Sequence, residues 1–142
     1  MKIRSIDFEQ DNLSNLLQAS EDEGYVQIRW LIRDWESGKN RFGKLGECLY
    51  VALGDQNQVI AVCGLNDNGD GYGRLRRLYV HPDFRKQGIG RKLSQACIDH
   101  GLQTFENIVV NAGGKMAVRF YDNWGWHQIE GERLTHSFYK IG

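Results

Sequence analysis

Seven cations fall within residues 74–92: Arg74, Arg76, Arg77, Arg85, Lys86, Arg91 and Lys92. Asp83 is the only carboxylate among them, so the segment carries a local charge of 7 − 1 = +6. Gly88 and Gly90 interrupt the run just before an apolar spacing of helical type begins. A helix start presents backbone N–H groups that have no partner in the helix, together with a partial positive charge. A glycine there lets a bulky anion approach the backbone closely. Residues 85–91 therefore read as an anion cradle at a strand–turn–helix junction, with phosphate or pyrophosphate as the fitting chemistry.

The bulk composition confines that attraction to one place. Among 142 residues, 18 basic and 18 acidic side chains cancel. Attraction to nucleic acid or to an anionic membrane over the whole surface is not expected. No apolar run is long enough to span a bilayer, and the first residues lack the apolar stretch of a signal peptide. Cys48, Cys63 and Cys97 lack metal-ligand spacing and read as reduced core thiols of a cytoplasmic protein. No metal site is expected. NDNGDG (66–71) resembles the start of a calcium loop, but the bidentate acid due at its twelfth position is Arg77. It reads as a polar turn between strands.

The elements that must position the cradle follow from apolar periodicity. Strands are expected at 3–6, 47–54, 58–66, 73–80 and 107–112, with two more within 126–141. Helices are expected at 12–20, 24–39, 88–105 and 115–125, the last closing at Gly125. The strand–helix–strand run over 73–112 implies a parallel crossover. Hairpins on either side make the sheet mixed. The whole is one α/β (α+β) domain over 1–142.

Two nucleotide motifs are absent: GxxxxGK[ST], and GxGxxG, whose third glycine would fall at Leu93. The segment RRLYVHPDFRKQGIGRKL instead resembles the acetyl-CoA-binding motif of the GNAT superfamily of N-acetyltransferases. Arg85, Gly88 and Gly90 meet its [RQ]-x-x-G-x-[GA] pattern. A second stretch, MAVRFYDNWGW (116–126), is similar to the family's later helix, and the resemblance covers roughly 47–127.

That resemblance implies a mostly antiparallel sheet with a central parallel pair splayed apart, and helices on both faces. It implies that the diphosphate of acetyl-CoA lies on the backbone amides of Arg85, Lys86, Gln87, Gly88, Ile89, Gly90 and Arg91. The pantetheine arm would run along Leu78, Tyr79 and Val80, with a backbone N–H near Tyr79 or Val80 receiving the thioester oxygen. Phe120 and Asn111 would contact the donor, and Tyr121 would act as general acid toward the leaving thiolate. Asn111 is a weak substitute, since the family's asparagine slot is Gly114 here. No carboxylate on the fourth strand offers a base; Glu47, Glu21, Asp22 and Glu23 are the remaining candidates. The implied reaction moves an acetyl group to a primary amine of a small molecule or a protein. A non-catalytic CoA-binding regulatory module is the alternative. A nucleic-acid or phosphopeptide surface fits the neutral overall charge poorly, and no membrane partner is expected. The protein is expected to be a monomer or homodimer. Tyr25, Trp30, Trp35, Trp126 and His127 are candidates for lining the acceptor slot.

Overall fold

A computed structural model describes all residues, Met1–Gly142. The elements are β1 (Lys2–Ser5), α1 (Ser14–Asp22), α2 (Gln27–Ser37), β2 (Cys48–Leu53), β3 (Val59–Asp67), β4 (Tyr72–Val80), α3 (Ile89–Gly101), β5 (Asn107–Val110), α4 (Lys115–Trp124), β6 (His127–Gln128) and β7 (His136–Ser137). A single 3-10 turn, Pro82–Phe84, separates β4 from α3. The expected order of elements holds. The last hairpin is the main difference: its two strands keep only two residues each.

One seven-stranded sheet runs in the order β1-β2-β3-β4-β5-β7-β6. Every pairing is antiparallel except β4 with β5. β3 lies near the middle and is buried from Val59 to Asn66. Both faces of that strand are covered, which explains its unbroken apolar run in place of an alternating one.

Helices cover both faces. Leu93, Cys97 and Ile98 of α3 pack with Leu65, Leu75 and Ile108 on one side. Leu16 of α1 and Ile28 and Leu31 of α2 pack with Val51, Val62 and Tyr79 on the other. Each fully buried leucine or isoleucine contributes about 2 kcal/mol. The three thiols are free and buried. Cys97 Sγ donates to the Cys63 carbonyl at 3.4 Å, tying α3 to the central strand.

β4 carries two irregularities. The parallel ladder runs from Tyr72↔Asn107 to Leu75↔Val110 and stops, although β4 continues for five more residues. The two strands thus separate beyond Leu75. A bulge lies just past this point: Arg76 pairs with Gly64 and Tyr79 with Val62, so Arg77 and Leu78 together face Cys63. Arg77 takes the left-handed conformation (φ 61) that a bulge of this kind uses. Added twist in the bulged strand carries β4 away from β5.

Candidate active site

The turn between β4 and α3 opens beside this gap. No backbone N–H from Lys86 to Arg91 donates to an acceptor within the chain; the first helical bond here is Lys92 N to Gly88 O at 3.1 Å. Some of these are the ordinary unpaired donors of a helix start. Lys86 (φ 64) and Gly88 (φ 78) are both left-handed. Such alternation folds successive N–H groups around a concavity suited to anions. A Cβ at Gly90 would make ordinary contact with Val80 (3.4 Å) and Phe120 (3.8 Å), so glycine leaves open the space between the strand end and α4. Lys86, Gln87, Gly88 and Arg91 are exposed. Arg91 lies over the Trp124 ring at 5.2 Å.

The strand end supplies the second part. His81 N donates to the Ile60 carbonyl at 2.9 Å. Donors alternate sides along an antiparallel strand, so Tyr79 N–H faces β3 and Val80 N–H faces the gap. Of the two candidate donors, Val80 is therefore the one in position. Leu78 and Val80 pack toward the α3 side, whereas the Tyr79 ring packs toward α1 and α2.

Tyr121 projects from α4 into the core cluster against which Leu78 and Val80 pack. It is 4% exposed, with its ring against Phe120 and Trp126, both at 5.0 Å between centroids. Its hydroxyl makes no hydrogen bond within the chain, and its oxygen is not among the fully occluded unpaired atoms. Burial pushes the phenol far above its usual pKa, with Cys63 adding a smaller push. The group is thus a protonated donor with no internal acceptor. Asn111 stands exposed just past β5.

Arg85 departs from its expected place on the diphosphate. Its NH1 and NH2 donate to the two Glu23 carboxylate oxygens at 2.7 and 2.6 Å, and its Nε donates to the Val80 carbonyl at 3.0 Å. Tyr79 Oη donates to Glu23 Oε1 at 2.5 Å. The guanidinium is therefore committed to a clasp between the end of α1 and the end of β4. Its backbone N–H donates to the Pro82 carbonyl at 3.4 Å, so the free donors of the cradle begin at Lys86. Arg85 holds the Glu23 carboxyl below the usual carboxylate range, although partial burial opposes this. A carboxylate so engaged is a poor general base. Glu47 is engaged too: its Oε2 accepts from Asn66 Nδ2 (3.1 Å) and Asp67 N (2.8 Å).

A titration checks the clasp. A depressed pKa in the folded state adds stability that is complete above the unfolded value of about 4.3 and is lost as pH falls from there through the lower folded value. Melting temperature should therefore fall more steeply for wild type than for Glu23→Gln between about pH 5 and 3. Parallel curves would show that the clasp contributes nothing.

With this geometry in place, the comparisons are specific. Residues 46–128 match the family model described as "Acetyltransferase (GNAT) domain". The chain belongs to the GNAT family of acetyltransferases. Among solved GNAT-like structures, one assigned as an acetyltransferase, from Exiguobacterium sp. 255-15, is 30% identical, with a TM-score of 0.84 over 96% of this chain and 91% of that one. An acetyltransferase of the GNAT family from Staphylococcus aureus Mu50 is 17% identical, with a TM-score of 0.73 over 96% of both chains. A protein from Bacillus anthracis assigned as a streptothricin acetyltransferase was solved with acetyl coenzyme A. It is 22% identical, with a TM-score of 0.57 over 62% of this chain and 52% of that one. No curated protein matches in sequence. No helix of this GNAT chain is long and apolar enough to cross a membrane.

Two GNAT-site features had no local sequence signal. The Glu23–Arg85 pair joins residues 62 positions apart. His136, 1% exposed, meets Asp122 Oδ1 at 2.8 Å and fastens β7 to α4 one residue from Tyr121. That contact holds the Asp122 carboxyl below the usual range. Of the proposed acceptor-slot aromatics, Trp35 stacks on Phe8 and Trp126 is buried, so both are core. Trp30 and Tyr25 stay exposed on the α2 side. His127 is exposed on β6.

Proposed function

We propose that this protein is an acyl-CoA N-acyltransferase that moves an acetyl group from acetyl-CoA to a primary amine of a small molecule or protein. The observation that carries this reading is the run of unpartnered N–H groups from Lys86 to Arg91 beside the β4–β5 gap, with the unbonded phenol of Tyr121 in the core cluster that Leu78 and Val80 pack against. The co-substrate's diphosphate fits those donors. Its pantetheine arm fits along Leu78–Val80 as an added strand, where β4 has lost β5 as a partner.

The amine nitrogen attacks the thioester carbonyl carbon directly. Negative charge develops on the carbonyl oxygen, and Val80 N–H is aimed to stabilise it. The C–S bond then breaks. Tyr121 donates its O–H to the departing sulfur, a general-acid role. The proton lost by the amine balances the one taken up by the thiolate. The products are an N-acetyl amide and CoA. Glu23 and Glu47 are engaged elsewhere, so the amine's proton leaves through water. A regulatory CoA-binding module would have no use for a free phenol at this position.

Thiol release measured over an amine panel, with mass detection of the acetylated product, tests the proposal. At least one amine should give stoichiometric CoA and N-acetyl product. Acetyl-CoA binding with no turnover on any amine would favour the regulatory module. Absence of binding would end both readings.

A further inference from the structure

The seven cations of residues 74–92 do not form one patch. Arg85 belongs to the clasp, and Lys86, Arg91 and Lys92 surround the cradle. Arg74, Arg76 and Arg77 lie instead toward α2, on the face of β4 opposite Leu75, and acyl transfer at the gap makes no use of them.

These three are unlike the other partly buried arginines of the chain. Arg4 has Asp11, and Arg85 has Glu23, each at ion-pair distance. No carboxylate pairs with Arg74, Arg76 or Arg77. Arg74 Nε is fully occluded and has no acceptor. Burial disfavours the charge of Arg74, with Arg76 and Arg133 adding repulsion. Burial does the same for Arg77, with repulsion from Arg76 only partly offset by Asp34. Arginine does not escape such a setting by losing its proton. Gathering like charges away from water without a counter-ion is costly, and leaving a buried donor unmade adds to that cost. An anion that reaches Arg76 and Arg77 from outside would relieve their repulsion, to which the occluded Arg74 adds charge.

The space for one is present. A cavity of about 650 Å³ is walled by Arg76, Arg77, Trp30 and Asp34, by the loop after α2, and by Glu47 and Asp67, whose carboxylates already accept from Asn66 Nδ2 and Asp67 N and from Gly69 N. Arg77 reaches over the Trp30 ring at 5.8 Å, which leaves that exposed ring as a flat wall beside the charges. Of the cavity lining, Arg76 and Arg77 follow directly on Leu75, where the β4–β5 ladder ends. Arg76 precedes Val80 by four residues, on the order of 10 Å of strand. The cluster therefore lies near the thioester position but does not compete with it for space.

We infer that the acetyl acceptor is itself an anion, an amine carrying a phosphate or carboxylate that Arg76 and Arg77 hold while the amine reaches the gap at Val80. The fork of a guanidinium suits both oxyanions. This inference rests on the acyltransferase reading, and its test separates the two.

Matched acceptor pairs would be compared at saturating acetyl-CoA: a phosphorylated amine against its dephosphorylated alcohol, and an amino acid against its primary amide. The anionic member of at least one pair should show a kcat/KM about tenfold higher or more. Whichever pair responds identifies phosphate or carboxylate as the anion. Arg76→Gln and Arg77→Gln should collapse that preference and raise KM for the anionic acceptor, with KM for acetyl-CoA unchanged. Arg76→Lys, which keeps the charge and loses the fork, serves if the glutamine variant does not fold. Neutral members used equally well, or variants that slow both members alike, would overturn the inference. Calorimetry with inorganic phosphate at saturating CoA, which occupies the cradle, tests the cluster without the reaction: binding should be present in wild type and lost in Arg76→Gln/Arg77→Gln. Phosphate binding without acetyl-CoA binding would defeat the donor reading alone. Acetyl-CoA binding with no acceptor preference and no phosphate binding at the cluster would defeat the anionic acceptor alone.

Discussion

Replacing Tyr121 by Phe should lower kcat about a hundredfold, the usual scale for removing a positioned proton donor. KM for acetyl-CoA should change little. The hydroxyl has no hydrogen-bond partner in the folded chain, while the ring packs between Phe120 and Trp126. Phe keeps the ring and orphans no other group, so melting temperature should stay close to wild type. A loss of rate without a loss of stability separates a chemical role from a packing role. The pH profile adds a sign. Burial raises the phenol far above its ordinary value, so it remains a donor through alkaline pH. No alkaline fall in kcat should therefore trace to Tyr121 below about pH 10. An unchanged kcat in the Phe variant would remove Tyr121 from the chemistry.

Gly88→Val should weaken acetyl-CoA binding by at least about tenfold, or 1.4 kcal/mol. Two effects add. Gly88 sits at φ 78, where a side chain costs about 1–2 kcal/mol and a β-branched one more. The space around its missing Cβ is open, with no atom of the chain within 4 Å. A side chain there would project where the diphosphate is placed, without clashing internally. Calorimetry with acetyl-CoA reads the loss of affinity, and thermal melting reads the strain. Gly88→Ala should fall between the two. Strain without any loss of affinity would move the diphosphate off this turn.

Local signals explain most of what the sequence made legible. The glycine-broken, cation-rich start of α3, the apolar run of β3 and the Gly125 stop after α4 each act within a few residues. The element order and the parallel β4–β5 pair follow from them. What stayed hidden depends on long-range geometry. Arg77 is not a residue that suggests a left-handed bulge, yet that bulge sends Arg76 and Arg77 toward α2. It divides a continuous basic run into a donor cradle and a separate cluster. Arg85 matches the cradle motif by spacing, but Glu23, from the end of α1, takes its guanidinium. The last hairpin is short because β7 pairs β5 over only Val109 and Val110, which no local pattern encodes.

Acetyl-CoA bound in the gap, with its diphosphate on the α3 turn, would leave a distinct mark on the backbone amides. Amide NMR during titration with acetyl-CoA reads that mark residue by residue. The amides of Lys86–Arg91 and Val80 should shift most strongly and saturate together, while those of the α1–α2 face move little. Binding that left these amides unshifted and perturbed another surface would place the donor elsewhere and refute this site.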